Sequence, residues 1–401
     1  MNIFNKCYNY TRAAQVKAIG IYPYFQVIEE NHGPVVKMNG KEVIMAGSNN
    51  YLGLSKHPEV IEASKKAMMR FGTSCSGSRF LNGTLTLHTA LEEELADFVG
   101  MERCLVFSNG FLTNQGVLPT IVHRNEYLIT DKDNHASIVA GTLIAKAMGA
   151  KIHRYQSNDM ESLENVLKQI PMDAPKLIIT DGVFSMTGYV VNLPRLVELA
   201  NQYKAGVMVD EAHAIGVLGK GGIGTSSHYQ LKNGADVDLV MGTFSKSFAS
   251  LGGFIAGSKE VMNYIQHHSQ ALIFSASIAP ANAAAVHAAL KLMKKEPERT
   301  QRLSEIADYM RNGFKKMGMK ILDGITPIIP VVIGDDMKTF QFWKALLDNG
   351  IYANAVISPA VPPGMQLIRT SYIATHENKH LDRILEVIEK VGKEFGLISN
   401  H

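Results

Sequence analysis

Lys246 stands in the stretch GTFSKSFASLGGF (242–254), among small and hydroxyl residues, just after an apolar run and just before a glycine pair. A lysine so placed can snorkel its ammonium to water along its apolar stem. Alternatively, desolvation can lower its pKa and release the amine for imine formation with a carbonyl cofactor. Asp210 bears on the choice. It ends the apolar run GVMVD (206–210), and an acid at a buried strand end is costly unless a cation meets it. A protonated pyridine nitrogen is such a cation. Enzymes that use pyridoxal 5'-phosphate (PLP) pair an imine-forming lysine with such an acid, which keeps the ring an electron sink. On residue types alone, an Asp210–Lys246 ion pair with no cofactor accounts for both residues equally well.

Other polar groups follow apolar runs in the same manner. CLVFS (104–108) leads into NGFLTNQG, a glycine turn opening a helix, whose N–H groups and dipole suit a phosphate. EYLIT (126–130) leads to DKDNHASI with His135, KLIIT (176–180) to DGVFSMTG with Ser185, and GVMVD to EAHAIG with His213. A lone histidine in such a place is more often structural than functional. GKGGIG (219–224) has the look of a phosphate loop, but no Lys-Ser/Thr follows its last glycine, so it reads as a turn.

The elements that must position these groups are legible in outline. The first ~45 residues read as a helix and an arm, with a hairpin at the Asn39-Gly40 pair. From Tyr51, helical stretches alternate with short β-branched runs, the pattern of a mostly parallel sheet covered by helices on both faces. Ligands of such sheets collect beyond the carboxyl ends of the strands. From about residue 281 an alanine-rich helix, further helix and short strands suggest a smaller α+β domain. The expected organisation is an N-terminal helix and arm over 1–50, a large ligand-binding domain over 51–280 and a small C-terminal domain over 281–401.

Composition narrows the function classes. The chain has 401 residues, 46% of them apolar, and 40 basic against 37 acidic residues leave a formal charge of +3. No basic cluster of the kind that binds nucleic acid is present. Cys7, Cys75 and Cys104 lack metal-ligand spacing, so neither a zinc site nor a disulfide framework is expected. The N-terminus lacks the apolar core of a signal peptide, and no window reaches the ~18 apolar residues of a spanning helix. A cytoplasmic protein is the expectation.

The motifs NNYLGL (49–54), GSRFLNGTLTLHTALEEELADF (77–98), SNGFLTNQG (108–116), DNHASI (133–138), DGVFSMTG (181–188), VDEAHAIGVLG (209–219), GTFSKSFASLGGF (242–254) and FSASIAP (274–280) together resemble the α-oxoamine synthases. These are fold-type I PLP enzymes that condense an amino acid with an acyl thioester. The resemblance runs in order over nearly the whole chain, and it is nearest to the branch that joins L-serine to palmitoyl-CoA, giving 3-ketosphinganine, CoA and CO2. It implies that Lys246 carries PLP as an imine and serves as the base. His135 would stack on the ring and orient substrate, Asp210 would hold the pyridinium nitrogen and His213 the ring hydroxyl. Gly110 and Phe111 would supply donors to the phosphate, with Ser185 and Thr243 as further ring and phosphate contacts. Ser275 would reach the phosphate of a neighbouring subunit, implying a homodimer with shared active sites. Asn50 and Arg369 would engage the amino-acid carboxylate, Arg369 as a bidentate guanidinium.

The chain departs from the family's common pattern at Thr187 and Tyr189, where an acid and an aspartate are usual, and at Ile357 and Ala360, where many relatives have arginine and threonine. These positions bear on the amino acid and the acyl donor. Glycine, alanine or cysteate, or a donor held on an acyl carrier protein, are therefore the alternatives within the class. A catalytically inactive subunit is the alternative outside it. The N-terminal helix is compatible with peripheral membrane contact, and equally with packing as a dimer arm.

Overall fold

The computed structural model describes residues 2–398. They form two compact units. The larger is Asn49–Glu305 with Gly324–Pro327, and the smaller takes the remaining described residues. The expected boundary near 50 matches the division between Ser48 and Asn49, while the one at 281 is drawn differently by the fold. The chain from 281 to Glu305 stays with the larger unit because the helix Pro280–Lys295 buries Ala283, Val286, Ala289, Leu290 and Met293 and packs against the helix Pro58–Phe71. The N-terminal arm, in turn, is a sheet of the smaller unit. Strand β1 (Glu30–Asn31) pairs with β2 (Val35–Met38), and β2 turns into β3 (Lys41–Met45) through Asn39 and Gly40, both at positive φ. The later strand Ile351–Tyr352 joins β3 in parallel. The expected N-terminal helix is two short ones, Asn5–Tyr8 and Arg12–Ala18.

The larger unit is organised by a seven-stranded sheet. Its strands are β4 (Arg103–Phe107), β5 (Tyr127–Asp131), β6 (Lys151–Tyr155), β7 (Lys176–Asp181), β8 (Gly206–Asp210), β9 (Leu239–Thr243) and β10 (Gly253–Gly257). Their order is β4-β10-β9-β8-β7-β5-β6. Neighbours from β6 to β9 are parallel, while β10 runs antiparallel to both β9 and β4. The run of apolar residues in β7 is buried along its whole length, as a strand covered on both faces must be. Helices lie on both faces, making the fold-type I architecture that was expected. Two strands have no counterpart in the sequence reading. Polar β6 closes one edge of the sheet, where charged side chains protect exposed backbone, and glycine-bounded β10 directly follows the turn that carries Lys246.

Parallel pairing sets the carboxyl ends of β5, β7, β8 and β9 side by side. Asp131, Asp181, Asp210 and Thr243 therefore end neighbouring strands on one edge of the sheet.

In the smaller unit the strands Ile328–Val332, Leu367–Ser371 and Asn354–Val356 form an antiparallel sheet. Its core gathers Phe314, Ile329, Phe342, Trp343, Ile368, Tyr372, Ile384 and Ile388. The helices Asp336–Asp348 and Asn378–Glu394 each bury one apolar stripe there.

Candidate active site

A cavity of about 360 Å³ opens at the carboxyl edge of the sheet in the larger unit. Seven of the residues expected from the sequence line it: Gly110, Phe111, His135, Asp210, His213, Thr243 and Lys246. They arrive from four strand ends, those of β4, β5, β8 and β9, and the turns that follow them, which explains why residues far apart in sequence meet.

Asp210 ends β8 and is 3% exposed. Asn114 Nδ2 donates to its Oδ2 at 2.8 Å, and the Ala212 N–H donates to its Oδ1 at 3.0 Å. A donor on each oxygen is the arrangement that suits an ionised carboxylate, which can only accept. Asn114 also donates to Ser137 Oγ at 2.9 Å, and that hydroxyl lies 2.7 Å from His135 Nδ1. The Ser137 N–H donates to the same nitrogen at 3.2 Å. Nδ1 is thus an acceptor, and the proton of the neutral ring sits on Nε2. The His135 pKa is lowered by desolvation and by Lys246, against the pull of Asp210. His135 therefore works as the neutral ring, edge-on to Phe111 with centroids 6.3 Å apart.

The asparagine reaches this network because two helices approach closely. Gly141, on the helix Ala136–Ala147, packs against the helix Gly110–Ile121. A Cβ at 141 would stand 2.6 Å from the Asn114 carbonyl.

The start of that second helix forms the anion end of the cavity. Asn109 caps it, its Oδ1 accepting the Leu112 N–H at 2.7 Å and its carbonyl the Thr113 N–H at 3.1 Å. The N–H groups of Gly110 and Phe111 remain at the positive end of the helix dipole, the usual place for a phosphate. Gly110 is sterically required here, since a Cβ would lie 2.7 Å from Thr243 Oγ1 and 2.9 Å from Thr243 Cβ.

Lys246 is half-buried rather than buried. It stands in a tight turn closed by the Ala249 N–H donating to its carbonyl at 2.9 Å. The adjacent Ser247 hydroxyl donates to the Ile215 carbonyl at 2.7 Å, pinning the turn to the loop that carries His213. His213 Nδ1 lies 2.7 Å from the hydroxyl of fully buried Tyr51.

The remaining expected residues are placed otherwise. Ser185, Asn50 and Ser275 belong to the same unit but do not line this cavity. Asn50 donates to Ser55 Oγ at 2.8 Å. Arg369 is buried in the strand Leu367–Ser371 of the smaller unit, with its guanidinium 3.3 Å from Ser371 Oγ. Thr187 and Tyr189 flank Gly188 in a tight hairpin after β7, in which the Phe184 N–H donates to the Tyr189 carbonyl at 2.9 Å. Ile357 and Ala360 lie in the turn after Asn354–Val356. GKGGIG forms a turn, with four of its residues, Gly219, Gly221, Gly222 and Gly224, at positive φ.

Sequence reasoning missed Asp181, Ser137, Asn114 and Tyr51. Asp181 was recoverable, because it ends β7 as Asp210 ends β8. Asn114 lies one helical turn beyond Gly110, a weaker signal, and nothing local marks Tyr51.

A small carbonyl cofactor with a phosphate and a basic ring nitrogen fits this donor set. The cavity joins an amine, an acid with satisfied hydrogen bonds, and a helix start whose close packing on Thr243 leaves no room for a side chain. Among the described residues no cluster able to hold a metal ion occurs, and no helix is long and apolar enough to cross a membrane.

A family model described as aminotransferase class I and II matches residues 41–388. The chain is 46% identical over 393 residues to a serine palmitoyltransferase of Bacteroides ovatus, covering 98% of each. It is 43% identical over 380 residues to the serine palmitoyltransferase of Sphingobacterium spiritivorum, covering 95% of this chain and 94% of that one. An 8-amino-7-oxononanoate synthase of Bacillus velezensis is 43% identical over 371 residues, covering 92% and 94%. A solved structure of SPT with a PLP internal aldimine superposes with a TM-score of 0.95 at 32% identity, covering 99% of this chain and all of that one. The Sphingomonas wittichii serine palmitoyltransferase superposes with a TM-score of 0.95 at 32% identity, covering both chains completely.

Proposed function

This chain belongs to the class I and II aminotransferase family, and we propose that within it the protein is a PLP-dependent serine palmitoyltransferase, joining L-serine to palmitoyl-CoA to give 3-ketosphinganine, CoA and CO2. The observation that carries the assignment is the convergence of Lys246, Asp210, His135 and the Gly110–Phe111 helix start on one cavity. PLP, when bound, supplies a ring that spreads the negative charge left on the amino acid as its α-proton departs.

The chain's own groups supply the rest. Gly110, Phe111 and Thr243 are assigned to the phosphate, Asp210 to the ring nitrogen and its proton, and His213 to the ring hydroxyl. Lys246 is assigned as the imine-forming amine and as the base for the α-proton. His135, neutral and held by Ser137, would lie over the ring and offer its Nε2 proton toward the substrate. Ser185 is a further ring contact. Asn50 and Arg369 are assigned to the substrate carboxylate, which orients the bond to be broken.

The active form is assigned as a cytoplasmic homodimer in which Ser275 reaches the partner's phosphate site. Exposed Phe80, Leu81 and Phe274 support this, since apolar side chains of that size are usually covered in an assembly. The segments that bear them are tied together, the Ser277 hydroxyl donating to the Gly83 carbonyl at 2.7 Å.

Purified protein given PLP, palmitoyl-CoA and a mixture of amino acids tests the assignment by product mass. The expected product is 3-ketosphinganine, absent with Lys246→Ala. A different aminoketone would support the second reading, another amino acid or a carrier-protein donor, which the identity to the 8-amino-7-oxononanoate synthase favours.

A further inference from the structure

Two acids, not one, end neighbouring strands at the cavity. Asp181 of β7 and Asp210 of β8 are paired in register, so their side chains emerge on the same face. Both line the cavity, and Asp181 is 5% exposed. Two carboxylates this close and this enclosed do not both ionise readily. Their hydrogen bonds differ. Asp210 receives a donor on each oxygen, so a proton there would face a donor. Asp181 receives one, the His135 main-chain N–H, which donates to Oδ2 at 2.8 Å. Its Oδ1 can carry a proton without that conflict.

We propose that Asp181 is a positioning residue that fixes the His135 turn as a neutral carboxylic acid, leaving the charge of the pair on Asp210.

The groups around Asp181 are consistent with this division. Asp210 on β8 and Asp131 at the end of β5 oppose a charge on it, while Lys246 and the His135 N–H favour one. Burial is the largest influence, and the net effect is a pKa raised well above the ordinary carboxylate value. Glu211 follows Asp210 directly and is itself fully engaged by Thr225 and Ser226. A turn held at its backbone keeps the His135 ring over the cavity, and a single negative charge in the cavity would leave Asp210 as the one carboxylate to pair with a protonated ring nitrogen. The second consequence rests on the reading of the cavity as a PLP site.

Difference infrared spectroscopy between the wild type and Asp181→Asn, both cofactor-free at pH 7, reads the protonation state directly. The expected result is loss of the carbonyl stretch of a protonated carboxyl. Loss of carboxylate bands would overturn the proposal. In PLP titrations Asp181→Ala is expected to bind about tenfold more weakly, the scale of one buried hydrogen bond to a main-chain donor. Asp181→Asn, which keeps the acceptor for the His135 N–H, is expected to recover most of that loss. An Asn variant as weak as the Ala variant would also overturn it. Should neither variant fold, 13Cγ-aspartate NMR of the wild type at pH 7 decides by the presence or absence of a protonated aspartate signal. Failure of the wild type to bind PLP would remove the functional reading and leave the infrared result standing.

Discussion

Substituting Glu211 by Gln should change how the protein's stability depends on pH. Glu211 is 1% exposed, and its carboxylate accepts the Thr225 N–H at 2.9 Å, the Thr225 hydroxyl at 2.7 Å and the Ser226 N–H at 3.3 Å. These donors favour the ion, but burial outweighs them, and the pKa is raised from 4.5 to about 7. A raised folded-state pKa means that the unfolded chain ionises first. The stabilisation is then complete below 4.5 and is lost as the pH rises through about 7. A shift of this size corresponds to about 3 kcal/mol in full, of which roughly 2.5 kcal/mol falls between pH 5 and pH 8.5. Glutamine keeps one acceptor oxygen and cannot ionise. Urea unfolding of cofactor-free wild type and Glu211→Gln at the two pH values should therefore show the variant gaining roughly 2.5 kcal/mol on the wild type between them. A stability difference that is the same at both values would refute the reasoning. It would mean that the Thr225 and Ser226 donors, not burial, set the charge of Glu211.

Gly110→Ala should weaken PLP binding by about ten- to a hundredfold, because relieving the Thr243 contact moves a helix start whose charge-assisted hydrogen bonds are worth about 1.5–3 kcal/mol each. Spectroscopic titration with PLP measures it. His88 is fully buried, with Nδ1 accepting the Leu85 N–H and Nε2 bonded to the Ile278 carbonyl at 3.0 Å. Its pKa is lowered to about 4, so its contribution is present above 6.5 and is lost as the pH falls towards 4. The stability advantage of wild type over His88→Gln should shrink by about 2–3 kcal/mol between pH 7.5 and pH 4.5.

What the sequence by itself determined is the frame of the site and the candidate residues for its chemistry. Lys246 and Asp210 stand out in the sequence because parallel strands must be apolar and their carboxyl ends collect ligands, so a polar residue just after such a run is conspicuous, while their roles and that of His135 are expectations carried by the family resemblance. The helix Gly110–Ile121 was legible from its glycine turn, and the hairpin at Asn39-Gly40 from its two-residue turn. Strand β6 was not legible, because an edge strand carries Lys151, His153 and Arg154 instead of an apolar run. The boundary after 281 was misplaced because an alanine-rich stripe does not reveal which neighbour will bury it.

Only the tertiary structure decided which polar residues meet. Asn114 bridges Asp210 and Ser137, Tyr51 meets His213, and Asp181 stands in register beside Asp210. These partners are separated by tens to more than a hundred residues, and no local spacing encodes them. Register between strands and the close approach of helices at Gly141 bring them to hydrogen-bond distance, and both follow from packing the whole larger unit.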